Sequence, residues 1–293
     1  MAGVTPNGKL LSSADGHYKD FSVKLARELG LENAGIIQKE FNPSNFFFVK
    51  DPTTGGDIML IGKNVFAPEP VFSRAEIREI TGVQDVIKLP VPHYMLDRAI
   101  RPLDKGRVLV FDNKIVMKEL LGAMANTRRL ISNSGSSALQ SVHEALASVF
   151  HLFHKHRVDR LGQFADQISD ILVANGLRPI SVPAAIRHRS EIKDGNMNYH
   201  YLSNFLDAIV QKKKNGDLVY ITNKSRLNEY CGITDEIAHD IGYGFEDNFA
   251  ANLVKAGIKK ENIHFIDDGN GYLASKMEKG QGGLHWRAME VPR

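Results

Sequence analysis

The sequence predicts an α/β fold assembled from a recurring strand–turn–strand–helix–strand unit. Three observations predict it. Helical and strand-like stretches alternate along the 293 residues; the order strand, Gly-containing turn, strand, helix, strand recurs; and a strongly helical region separates the earlier copies from the later one. Repetition of one supersecondary unit is the signature of a closed, propeller-like array. The same alternation also fits a generic α/β sheet.

The elements follow in order. A helix is expected from about Tyr18 to Leu29, with Asp15 ahead of it, Val23 and Leu25 among its apolar positions and Gly30 as its stop. The aromatic run Asn45 to Lys50 reads as a strand, and the turn-rich Asp51 to Asp57 leads into a second, Ile58 to Ile61. Ser73-Arg74-Ala75-Glu76 reads as a capping box opening a short helix, and Val86 to Leu89 as a further strand. Arg98 to Arg101 and Arg107 to Phe111 form a strand pair joined by Pro102 to Gly106. Asn133 to Ser136 reads as a loop ahead of two helices, Ala138 to Arg157 and Arg160 to Ala174. This helical stretch, about residues 133–176, is expected as an insertion or link within a single domain spanning 1–293. Beyond it, the apolar run Asn204 to Val210 is followed by a polar loop, Gln211 to Gly216, and the strand Asp217 to Thr222. A helix with Phe245, Phe249 and Leu253 on one face ends at Gly257, and Asn262 to Ile266 closes the last unit.

Composition narrows the function. A chain that is 43% hydrophobic with 15 Phe buries a real core and is not low-complexity disorder. One cysteine, Cys231, supports neither a disulfide framework nor a Cys-rich zinc site. No apolar run approaches the ~20 residues that span a bilayer, and residues 1–8 lack the charged and apolar regions of a secretory signal. A reducing cytosol is therefore the expected compartment. A net charge of +3 without a domain-sized basic stripe gives no reason to expect nucleic acid or membrane as a partner.

Isolated motifs carry little. On a helix, His151 and His154 share a face but His156 turns away, and Lys155 and Arg157 repel a cation, so a solvated face explains them better than a metal. Lys212-Lys213-Lys214 reads as a solvated hairpin tip, since no aromatic residues accompany it. Gly280 to Gly283 lacks both the Gly-Lys-Ser/Thr ending and the following helix of a phosphate loop. Cys231 as a nucleophile needs a nearby base; His239 is eight residues on, and a small buried thiol is the simpler account.

Four segments taken together say more. Phe48-Val49-Lys50-Asp51-Pro52, Thr54-Gly55-Gly56-Asp57, Met95-Leu96-Asp97 and Gly282-Gly283-Leu284-His285-Trp286 occur in order. They resemble the Phe-Thr-Arg-Asp-Pro, Glu-Gly-Gly-Asp, His-Leu-Asp and C-terminal Gly-Gly-x-His-Cys segments of the guanidino-group-modifying enzymes of the pentein fold. These are the arginine and agmatine deiminases, dimethylarginine dimethylaminohydrolases and amidinotransferases. The resemblance covers roughly residues 40–112 and 195–293. It implies a pseudo-fivefold α/β propeller of ββαβ units, with the helical segment additional to it. It implies no metal or cofactor.

Those enzymes attack a guanidinium carbon with a cysteine thiolate, shuttle protons through a histidine and hold the cation on carboxylates. Here the cysteine position is Trp286, the histidine position Met95 and the glutamate position Thr54. Indole and thioether groups serve neither reactive role. The carboxylates Asp51, Asp57 and Asp97 remain, and Trp286 offers a ring face for a cation. The resemblance thus implies a binding or regulatory protein for an arginine-like or other cationic small molecule. The alternative is an active amidinohydrolase, deiminase or amidinotransferase using Cys231, His93 or His285. A protein-interaction module is the second alternative.

Overall fold

The computed structural model describes residues 2–13, 24, 27–28, 30, 32–37, 46–63, 74–92, 96–155, 161–183, 185–193 and 196–266. These divide between two compact units: one within Met1–Val110 and Asp166–Ile180, the other within Phe111–Ala165 and Ser181–Gly283.

In the first unit the run Ile58-Met59-Leu60-Ile61 is buried on both faces, which is what a strand flanked by partners and covered by a helix requires. It forms β5 (Asp57–Lys63), paired antiparallel with β4 (Phe46–Lys50) and parallel with β6 (Asp85–Pro92). The crossover is helix α1 (Arg74–Thr81), ended by Gly82 at φ 74°. Ile77 of α1 meets Phe46, Met59, Ile61, Val83 and Val86 in one buried cluster. Each such side chain contributes about 1.5–3 kcal/mol on leaving water. The same order appears at the N-terminus, where β2 (Lys9–Ser13) pairs antiparallel with β1 (Ala2–Val4) and parallel with β3 (Glu32–Ile37). Of the helix expected between β2 and β3, the described Lys24, Arg27 and Glu28 are helical, and Gly30 takes φ 63°. Ser73 lies outside the described residues.

A third sheet holds β7 (Ile100–Pro102), β8 (Arg107–Phe111) and β9 (Arg178–Val182) in that order. The expected strand from Arg98 starts later, because Leu96–Ala99 forms a short helix, α2. Lys105 and Gly106 both have positive φ, 52° and 70°, the pair that a tight hairpin turn of the I′ kind demands.

The helical region begins earlier than the sequence suggested. Asn113–Ser134 is a helix, α3, whose N-cap Asp112 accepts from the Lys114 N–H at 2.8 Å and whose C-cap Gly135 takes φ 62°. Asn133 and Ser134 are therefore helical, and the loop shrinks to Gly135 and Ser136. Helices α4 (Ser137–Lys155) and α5 (Leu161–Ala174) match the two expected ones.

In the second unit a hairpin of β10 (Ala185–Lys193) and β11 (Asn196–Asn204) precedes β12 (Ala208–Lys212). β12 pairs antiparallel with β13 (Leu218–Asn223), which pairs parallel with β14 (Ile263–Ile266). Between β13 and β14 run α6 (Leu227–Cys231), α7 (Asp235–Ile241) and α8 (Phe245–Lys255). The core centres on Phe205, whose ring centroid lies 4.6 Å from that of Phe249 and 5.3 Å from that of Phe245. The Phe205 carbonyl, inside that core, accepts from Tyr220 Oη at 2.7 Å and Thr222 Oγ1 at 2.9 Å, so its polarity is satisfied.

Three small sheets are thus mixed, each an antiparallel pair followed by a parallel third strand. Among the described residues no helix is long and apolar enough to cross a membrane.

Candidate functional site

The acidic positions come from one hairpin and one short helix of the first unit. Asp51 opens the β4–β5 turn: its Oδ1 accepts from the N–H of Thr53 at 2.7 Å and of Thr54 at 3.3 Å. Its own N–H donates to the Gly56 carbonyl at 2.8 Å. This is the local side-chain-to-backbone turn that aspartate favours. The Thr53 N–H, then the Thr54 side chain, hold the Asp51 carboxyl below the usual carboxylate range. Gly55 supplies φ 73° at the tip. At Gly56 a Cβ would lie 2.0 Å from Gln84 Oε1, so glycine lets the turn approach the residue ahead of β6. There Thr54 Oγ1 donates to Gln84 Oε1 at 2.6 Å. Thr54 ties the turn to its neighbour.

Asp57 stands directly across the hairpin from Lys50, and Lys50 Nζ donates to Asp57 Oδ2 at 2.6 Å. The lysine side chain is 58% exposed and the aspartate 20%. The carboxylate is sheltered and holds a cation that stands largely in water.

Asp97 is different. It is 5% exposed, on α2, and Arg101, four residues on, is 1% exposed. Among the described residues of the first unit these are the two buried charged side chains, one of each sign. A buried charge costs several kcal/mol unless an opposite charge or hydrogen bonds offset it. The Arg101 guanidinium carbon lies 5.1 Å from the centroid of the Phe47 ring on β4, a cation–π approach. The hairpin turn of β7 and β8 backs the acidic turn: a Cβ on Gly106 would meet Pro52 Cδ at 2.8 Å. Asp104 and Arg107 close that second turn with an ion pair.

The structure thus groups Asp51, Thr54 and Asp57 in one turn and places Asp97 in the interior of the same unit. His93, Met95, His285 and Trp286 lie outside the described residues, as does Gly280–Gly283. Lys50, Gln84 and Arg101 were not singled out in the sequence. The signal for Arg101 was a charged residue inside the apolar run Ala99-Ile100-Arg101-Pro102-Leu103.

Cys231 belongs to the second unit, at the end of α6, where Gly232 takes φ 66°. The thiol is 3% exposed, and burial pushes it up to about 12. His239 on α7 is 91% exposed. A thiol so placed stays protonated at neutral pH, which is the wrong state for a nucleophile. His151 and His154 are exposed on α4. Among the described residues no group of three His, Cys, Asp or Glu side chains is placed to hold a metal.

No protein-family model matches the chain, and no curated protein matches it in sequence.

Proposed function

We propose that the chain is a divergent relative of the guanidino-modifying enzymes, a pseudo-fivefold array of ββαβ units that binds an arginine-like cation without processing it. The observation that carries this reading is the Lys50 ammonium seated 2.6 Å from the sheltered Asp57 carboxylate. That carboxylate already holds a cation, and the exposed lysine can be displaced by another with a planar, multi-donor head. Asp51 shapes the turn that presents Asp57. Asp97 supplies negative charge within the same unit, and Trp286 supplies a ring face.

Loss of chemistry follows from the side chains at the reactive positions. Trp286 and Met95 offer no nucleophile and no proton carrier, and the thiol of Cys231, the chain's single cysteine, is buried and protonated. A carboxylate turn of this kind lowers the free energy of a bound cation but leaves the guanidinium carbon unattacked.

The test pairs turnover with binding. Incubation with arginine, agmatine and methylated arginines should release no ammonia, citrulline, urea or ornithine, while the same compounds raise the thermal midpoint. Product formation abolished by Cys231→Ala would replace this reading with that of an active hydrolase or transferase.

A further inference from the structure

A second surface, in the other unit, carries the chain's excess positive charge. Lys212 ends β12, and the turn between β12 and β13 holds Lys213 and Lys214. Because β14 runs parallel to β13, with Tyr220 opposite Ile263, the segment entering β14 lies at the same end of the sheet. That segment holds Lys255, Lys259 and Lys260, and all six lysines are exposed. Two bonds lock the segments together: Lys213 Nζ to Asn262 Oδ1 at 2.6 Å, and Lys259 Nζ to Asp217 Oδ2 at 2.7 Å. Residues 211–217 and 254–262 contain six Lys against Asp217 and Glu261, a local charge of +4 in a chain whose total is +3. The rest of the sequence therefore nets −1.

We infer that this lysine tip is a docking surface for an anionic lipid bilayer. Lysine is the residue type of a delocalised electrostatic contact: it is a point charge on a flexible stem, without the bidentate fork that recognises a single phosphate. The two segments contain no Arg and no aromatic residue, so they offer neither groove readout nor base stacking. The exposed lysines of two chain segments at one end of the sheet offer several separate point charges to an extended anionic surface. Near an acidic bilayer surface each lysine gains about fivefold in affinity. This surface belongs to the second unit and does not depend on the acidic turn.

The experiment is vesicle flotation of the whole chain. Vesicles of phosphatidylcholine with about 30% phosphatidylserine should carry the protein at about 0.1 M salt and release it at about 0.5 M, and pure phosphatidylcholine should not. The triple variant Lys214→Glu/Lys255→Glu/Lys260→Glu should lose at least about a hundredfold in affinity. The neutral variant Lys214→Gln/Lys260→Gln, which disturbs the fold less, should lose at least about tenfold. Far-UV dichroism and the melting midpoint of both should match the parent chain. Failure of the parent to bind, binding unchanged in the neutral variant, or retention of a duplex of about 20 base pairs in place of vesicles overturns the inference.

Discussion

Two buried groups in the second unit make the residue-scale account testable. Cys231 is 3% exposed and its thiol is pushed up to about 12 by burial. Iodoacetamide should therefore leave the folded protein unmodified at about pH 8 and alkylate it once urea exposes the thiol. The second group is Glu119 on α3, whose Oε2 is buried without a hydrogen-bond partner among the described residues. Burial pushes its carboxyl from 4.5 up to about 7. The buried Tyr243 hydroxyl is raised by burial first, then by the charge of Glu119 and that of Cys231. The sign follows from proton counting: between about 4.5 and about 7 the folded state keeps a proton that the unfolded chain releases. Stability conferred by that proton is lost as pH rises through the window and stays lost above it. In Glu119→Gln the urea midpoint should stay flatter from about pH 4.5 to about pH 7 than in the parent. Parallel slopes in the two proteins would show that Glu119 is ionised throughout.

At the scale of elements, the acidic turn depends on the hairpin behind it. Gly106 takes φ 70°, and a Cβ there would press on Pro52 at 2.8 Å. Gly106→Ala should lower stability by about 1–2 kcal/mol from the left-handed backbone alone. It should also weaken ligand binding, because Pro52 follows Asp51. Urea titration and calorimetry of one preparation read both effects. Elements were legible where the pattern was strong: the aromatic β4, the apolar run Ile58 to Ile61 of β5, and α8 with Phe245, Phe249 and Leu253 buried one turn apart. Helix α3 was missed because its buried face, Val116, Leu120, Ala123 and Thr127, ends in a small and a polar residue. Its Asp112 cap and Gly135 stop were readable and passed over. β10 and β11 were missed for the opposite reason, since Arg187-His188-Arg189-Ser190-Glu191 shows no apolar alternation.

For the whole molecule, the recurrence inferred from sequence reappears as an antiparallel pair followed by a parallel third strand in β4–β6 and β12–β14, and the same order stands at the N-terminus in β1–β3. The N-terminal copy was illegible because its first strand is only Ala2–Val4. The site was legible as residue types but not as partners: Asp57 was named without Lys50 and Thr54 without Gln84. Such partners lie across a hairpin or beyond a crossover helix, and residue types alone do not show which of them meet. Calorimetric titration of arginine into three proteins tests recognition of a cation at Asp57. The parent should bind. Asp57→Asn should bind about tenfold or more weakly, as loss of a charged hydrogen-bond acceptor entails. Lys50→Met, which removes the resident cation, should bind up to about fivefold more tightly, the worth of an exposed ion pair. No heat of binding in either the parent or Lys50→Met, or equal affinity in Asp57→Asn, would contradict the account.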